Sequence, residues 1–449
     1  MKHRIAFISD HASPLATLGS VDSGGQNVYV AELARQLSAQ GYLIDIYTRR
    51  DHEQQKEVVE WLPGVRVIHI SAGPATYVPK EQLLPYMPVF AEEMETFIRR
   101  NQLGYKLMHA HFFMSGCVAS VIRRQLNIPY VITFHALGLV RRIHQKEADQ
   151  FPVERVSIET MLVHDADHII AECPQDKEDL VEHYEACEQN ISIIPCGFSP
   201  REFYPINKTT ARRQLQLPVN GKIVLQLGRM VPRKGVDNVI RGLGNMKKHG
   251  DPVYLVIVGG EADMPEVLNT PELKRLQQVA AGAGVLDQVI FTGRQSRQVL
   301  RYYYSAADVF VTTPWYEPFG ITPLEAMACG TPVIGANVGG IKYSVADGRT
   351  GYLVPPHSPE ILAKKLDQLL SSPTLHTTMT RNALARVRRE FTWEKVARSM
   401  HTIYMQVYRK PAEERINNWH DSLLLKDIGQ FLKESFFVPG VIRPVPGGS

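Results

Sequence analysis

The segment from Pro314 to Gly330, PWYEPFGITPLEAMACG, places two carboxylates, Glu317 and Glu325, on either side of a tight Phe-Gly turn that runs into a helix start. Local chemistry accounts for that start: Thr322 can cap the helix, Pro323 suits its first position, and Glu325 falls three residues after the cap. One reading of Glu325 is therefore a capping-box residue that satisfies a backbone N–H. No capping rule asks for Glu317, and Gly320 lets the backbone approach a ligand at the positive end of the helix. Two acceptors beside exposed backbone N–H groups suit a ligand carrying hydroxyls and phosphate together, as a nucleotide sugar does.

Outward from this segment, short apolar runs alternate with helical patterns. In the first half the strand candidates are Arg4 to Ser9, Leu43 to Arg49, Val65 to Ile70, Leu107 to His111, Tyr130 to His135, His168 to Cys173 and Ile191 to Cys196. The second half repeats the rhythm with Ile223 to Leu227, Tyr254 to Gly259, Val289 to Thr292, Asp308 to Thr312, Pro332 to Gly335 and Gly351 to Val354. Runs with so little polar alternation suit parallel sheets covered on both faces, so two doubly wound α/β domains are expected. A chain of 449 residues is too long for one core and agrees with two. The polar, aperiodic FYPINKTT, with its proline, puts the join near Pro205 to Thr210 and divides the chain into 1–207 and 208–391. Beyond Phe391 a helix over 392–410 shows Val396, Met400, Ile403 and Val407 along one face, and 411–449 reads as a loose extension.

Composition narrows the function. A formal charge of +4, with no Lys/Arg run interleaved with aromatics, argues against a nucleic-acid face. Arg141-Arg142 and Arg386 to Arg389 read as solvated helix faces. The apolar run after Met1 is too short for a signal peptide, and no stretch approaches the roughly 18 apolar residues of a membrane span, so a cytoplasmic location is expected. Five cysteines without C-x-x-C spacing read as reduced thiols rather than a zinc site.

Several stations carry chemistry. Gly24-Gly25 precedes a helix from about Asn27 to Gln40, which directs backbone N–H groups at an anion, although such turns are common. In LQLGRMVPRKG, Arg229 and Lys234 follow a strand's C-terminal end, where open α/β sheets bind ligands; the alternative is a solvated basic loop. Arg294 follows another strand in FTGRQ. His109 and His111 share one face of a strand and His135 ends the next, and any one of them is more often a satisfied, buried histidine than a functional one. Lys80, in GPATYVPKE, is either a ligand contact or a surface lysine.

The run EPFGITPLE followed by AMACGTPVI resembles the signature of the family-4 retaining glycosyltransferases of GT-B architecture, in which two doubly wound Rossmann-like domains face one another across a cleft. The glycine loop and HALG are similar to those of the branch that holds sucrose-phosphate synthases and inositol-phosphate glycosyltransferases. The resemblance implies that Glu317 contacts the donor sugar, that Glu325 contacts the nucleotide ribose, and that Arg229 and Lys234 hold the diphosphate. It adds Arg294, Phe319, Gly320, Leu324, His11, Gly24 and Gly25 to the donor side. It puts Gln26, Asn27, Lys80 and His111 on the acceptor side and His135 at the transferred sugar. Phe112 and Ala136 stand where the inositol-phosphate enzymes have Tyr and Thr, so two hydroxyl donors to an acceptor phosphate are missing, and Arg155 is a possible replacement.

The expected activity is hexosyl transfer from a nucleotide sugar, first of all a UDP-hexose such as UDP-glucose, to a hydroxyl of a small sugar, sugar phosphate or polyol, as in sucrose biosynthesis. The site is expected to hold neither metal nor cofactor, since no Asp-x-Asp pair is placed for Mg²⁺. A nucleotide-sugar epimerase or hydrolase on the same frame, or a non-catalytic nucleotide-sugar-binding protein, are the alternatives.

Overall fold

A computed structural model of the chain describes residues 3–16, 24–247, 250–260, 262–263 and 270–409. The expected extension 411–449 and part of the loop before Gly24 lie outside these residues.

Two sheets organise the described chain. The first contains β1 (Arg4–Ile8), β2 (Leu43–Arg49), β3 (Val58–Leu62), β4 (Val65–Ile70), β5 (Leu107–His111), β6 (Tyr130–Thr133), β7 (His168–Ala171) and β8 (Ile191–Ile193), in the order β3-β4-β2-β1-β5-β6-β7-β8. All its pairings are parallel except β3 with β4. The second contains β9 (Lys222–Leu227), β10 (Val253–Val258), β11 (Val289–Phe291), β12 (Val309–Thr312), β13 (Val333–Ala336) and β14 (Gly351–Val354), in the order β11-β10-β9-β12-β13-β14, entirely parallel. The central strands are buried along their length because helices cover both faces. These are two Rossmann-like α/β domains.

The structure corrects the sequence reading at strand ends. Pairing stops at Thr133, Ala171 and Ile193, so His135, Cys173 and Cys196 lie beyond the paired strands. The antiparallel edge strand β3 went unread: VVEWL is half-exposed, breaks its apolar run at Glu60 and joins β4 through the left-handed Gly64.

The helix Trp393–Arg409 buries Val396, Met400, Ile403 and Val407, the face its period indicates. It packs on the helix Gly25–Ala39, and Tyr404 Oη lies 2.6 Å from His109 Nδ1 on β5. The chain therefore returns to the first sheet after leaving the second.

Strand order fixes where ligands can sit. In the first sheet β1 lies between β2 and β5, and in the second β9 lies between β10 and β12. At each place successive crossovers run to opposite sides, which opens a crevice beyond the strands' carboxyl ends.

Candidate active site

The two crevices meet in one cavity of about 170 Å³. From the first domain it takes His11, Gly24, Gly25, Gln26, Asn27, Lys80 and His135; from the second, Arg229 and Glu317. Arg141, Phe151, Arg155, Arg233 and Tyr316 also line it, and of these only Arg155 was anticipated as a ligand contact.

On the second domain, the loops after β9 and β12 are stitched together. Trp315 N donates to Arg233 O at 2.9 Å, and Asn238 Nδ2 donates to Thr313 Oγ1 at 3.1 Å. Gly235 has φ +65, and a Cβ there would stand 2.1 Å from Thr313 O, so only glycine allows this approach. The result is a direct ion pair from Lys234 Nζ to Glu317 Oε2. Burial alone would raise the Glu317 carboxyl, but Lys234, Arg233 and Arg229 overcome it and hold the group below the ordinary glutamate range. Burial lowers Lys234, with Glu317 opposing. Gly320 has φ +88 and turns the chain tightly past Glu317, as its position in the Phe-Gly turn suggests.

On the first domain, Asn27 Oδ1 accepts from Gly24 N at 2.9 Å and its Nδ2 donates to Ser13 O at 2.9 Å, so Asn27 braces the glycine turn. His11 Nδ1 lies 2.9 Å from Asp10 Oδ2, and Ser115 Oγ donates to Asp10 Oδ1. Asp10 is a buried support that motif reading missed, because Ser115 is distant in sequence.

His135 takes the left-handed conformation, φ +59, which aims its ring into the cleft. His111 does not line the cavity. Strand alternation turns its side chain beneath His135, and the rings stack at 5.4 Å with Nδ1 of His111 3.1 Å from Nε2 of His135. Its expected acceptor contact is replaced by a contact with His135, while Gln26 Nε2 donates to its carbonyl. Burial drives both His109 and His111 well below the ordinary histidine range. The unfolded chain regains about 6.5, so below that pH it takes up protons the folded state refuses. Stability is therefore complete above about pH 6.5 and is lost as the pH falls below it. Denaturant midpoints at about pH 7.5 and about pH 5.5 check this; His109→Gln should flatten the difference, and an equal slope in that variant would show the ring is not responsible.

The donor-side residues of the segment helix are placed differently from expectation. The helix Thr322–Ala328 has no side-chain cap. Thr322 sits inside it, and Glu325 turns away from its N-terminus. Glu325 is 2% exposed, with Oε1 accepting from Arg297 Nη1 and Oε2 from Tyr304 Oη, both at 2.9 Å. Arg297 also donates to Glu202 at 2.8 Å. Phe319 and Leu324 are core side chains and do not line the cavity. Arg294 pairs with Asp263 at 2.8 Å away from the cavity.

On the acceptor side, Arg155 is 1% exposed, with Phe112, Phe113 and Phe151 within 4.8 Å of its guanidinium. Its Nε donates to Glu159 Oε1 and its Nη2 to Ala136 O, while Nη1 has no hydrogen-bond partner. Lys80 Nζ and Arg141 Nη2 each lie 3.9 Å from Glu81.

Residues 23–202 match the model of the family described as Glycosyltransferase Family 4, and residues 207–386 that of Glycosyl transferases group 1. The D-inositol 3-phosphate glycosyltransferase of Corynebacterium diphtheriae is 34% identical over 411 residues, covering 90% of this chain and 95% of that protein. The chain belongs to the family-4 glycosyltransferases. A second relative of the same name, from Acidothermus cellulolyticus, is 35% identical over 92% of this chain and 91% of its own. Among solved structures, the sucrose-phosphate synthase of Thermosynechococcus elongatus superposes with a TM-score of 0.83 at 34% identity, covering 91% of this chain and 99% of that one. The two Rossmann-like domains of this glycosyltransferase thus form the GT-B architecture.

The domains of the glycosyltransferase touch through side chains at the cleft. His144 stacks on Tyr316 at 5.1 Å, Gln145 donates to the Tyr316 hydroxyl, and Lys342 donates to Gln175 at 2.9 Å. An adjoining cavity of about 320 Å³ shares Ala136, Tyr316, Glu317 and Pro318 with the first. The first cavity alone is smaller than the roughly 300–1,000 Å³ of ordinary ligand pockets, and the adjoining one extends it past Tyr316. Among the described residues no helix is long and apolar enough to cross a membrane.

Proposed function

We propose that this enzyme transfers a hexosyl unit from a nucleotide sugar, most directly a UDP-hexose, to a hydroxyl of a small sugar, sugar phosphate or polyol, with retention of configuration. The observation that carries the reading is that Arg229 and Glu317 line one cavity with His135 and the Gly24-Gly25 helix start, with Lys234 behind the wall, paired to Glu317. Arg229 and Lys234 take up charge on the departing diphosphate, the anion facing the helix start. The leaving phosphate accepts the acceptor's proton on the same face, so no protein nucleophile and no metal is called for. Glu317 keeps Oε1 for a sugar hydroxyl while Oε2 holds Lys234.

For the acceptor, Lys80, Arg141 and the unpartnered Nη1 of Arg155 put cations around one wall, which favours a phosphorylated sugar or polyol. The relatives' names, with inositol phosphate and sucrose phosphate in them, support the same class. Phe112 and Ala136 offer no side-chain donor, so Arg155 carries the recognition in this reading.

The test is mass spectrometry of purified protein with UDP-, ADP- and GDP-hexoses, with and without a mixture of sugars, sugar phosphates and polyols. Nucleotide release that depends on one acceptor, with a product heavier by one hexosyl unit, is the expected result. Release without acceptor dependence would mean hydrolysis or epimerisation, and binding without release a sensor.

A further inference from the structure

We propose that Glu172, on the loop after β7, is the positioning residue for His135, fixing which ring nitrogen carries the proton and where the ring points. The inference rests on the reading that His135 contacts the transferred sugar.

Glu172 is buried, and its Oε1 lies 3.2 Å from His135 Nδ1. One contact holds the carboxyl itself and two hold its backbone and strand. Its backbone N donates to Asp176 Oδ2 at 2.8 Å, Cys196 Sγ donates to the same Oε1 at 3.2 Å, and β7 is hydrogen-bonded to β6, the strand that leads to His135. A carboxylate only accepts, so the hydrogen lies on Nδ1 of His135. The lone pair is then on Nε2, where His111 Nδ1–H donates to it at 3.1 Å. That leaves His111 Nε2 as a bare lone pair, and this is the buried ring atom with no partner. One tautomer thus satisfies both close contacts of His135. Tyr29, edge-on to the His135 ring at 4.8 Å, closes the remaining side.

The left-handed backbone at residue 135 sets the root of the side chain, and Glu172 sets its tip. Without the carboxylate the ring can turn over or exchange its proton, and the ring edge held toward the cleft changes. Motif reading cannot find this residue, since in AECPQ the glutamate follows a buried strand with no spacing that links it to HALG.

The test is a double-mutant cycle on the full chain, with the donor and acceptor identified by the panel assay. Glu172→Ala should lower kcat by about a hundredfold with donor KM changed by less than about threefold. Glu172→Gln, whose amide oxygen can still accept from Nδ1–H, should restore kcat to within about tenfold of the native value. In a His135→Ala background, Glu172→Ala should cost less than about twofold more. Independently of turnover, nitrogen chemical shifts of the labelled histidines should show His135 protonated on Nδ1 in the native protein, and this signature should be lost in Glu172→Ala. Additive losses in the cycle, or a native His135 protonated on Nε2 alone, overturn the proposal. Full activity of His135→Ala removes His135 from the reaction and Glu172 with it. If the native protein transfers no sugar, the functional reading fails, and the nitrogen shifts still decide the protonation of His135.

Discussion

Lys234→Ala should cut turnover at least about a hundredfold, a loss of about 3 kcal/mol in transition-state stabilisation. Two effects act together. On the proposed reading the ammonium is a fixed cation that meets charge developing on a departing phosphate, and fixed charges in a water-poor cleft act without reorganising. It is also the partner of Glu317, so its removal leaves that carboxylate to Arg229 and Arg233 and lets it swing from the position that faces the sugar. The Lys234 and Glu317 side chains keep 19% and 15% exposure, so the fold should lose less than the roughly 3–5 kcal/mol of a fully buried pair. Melting temperature and kcat therefore separate: a small shift in the first should accompany a large fall in the second. Lys234→Arg should not restore the rate, because a planar guanidinium in a site shaped for an ammonium displaces Glu317. An unchanged rate in Lys234→Ala would remove the residue from the chemistry and leave the pair a purely structural link between the loops after β9 and β12.

The physics of each feature decided whether the sequence disclosed it. Buried parallel strands such as Val253–Val258 and Tyr130–Thr133 announce themselves, because burial on both faces demands nearly unbroken apolar runs. The half-exposed edge Val58–Leu62 faces no such demand and stayed hidden. In the site, a strand's carboxyl end made Arg229 and Lys234 candidates and no capping rule asked for Glu317, but it was the resemblance to the family-4 glycosyltransferases that gave all three their expected roles. Asp10, Glu159 and Glu172 were not, since each acquires its role from a partner brought close only by folding. Local rules misled at Thr322. A capping box is a bargain among four consecutive residues, and it was overridden by Arg297 and Tyr304, which lie 28 and 21 residues from Glu325 in sequence.

That override changes what Glu325→Ala should do. Were Glu325 a cap, its loss would cost about 1 kcal/mol. In the structure its loss strips Arg297 of one of two carboxylates and leaves the Tyr304 hydroxyl buried without an acceptor, so about 3 kcal/mol or more is expected. Thr322→Ala, which removes no side-chain cap, should be nearly neutral, and comparing the two variants by denaturant unfolding separates the cases directly. Equal small losses would restore the capping role. For ligand binding the contrast is Glu325→Gln, which keeps size and one acceptor oxygen but gives up the charge that holds Arg297. If Glu325 also receives ribose hydroxyls, as the family resemblance implies, Arg297 must share the carboxylate when the nucleotide enters, and Glu325→Gln should weaken nucleotide affinity about tenfold or more. Native affinity in a destabilised Glu325→Gln protein would show that this carboxylate serves Arg297 and Tyr304 alone, and that the ribose is held from elsewhere in the cleft.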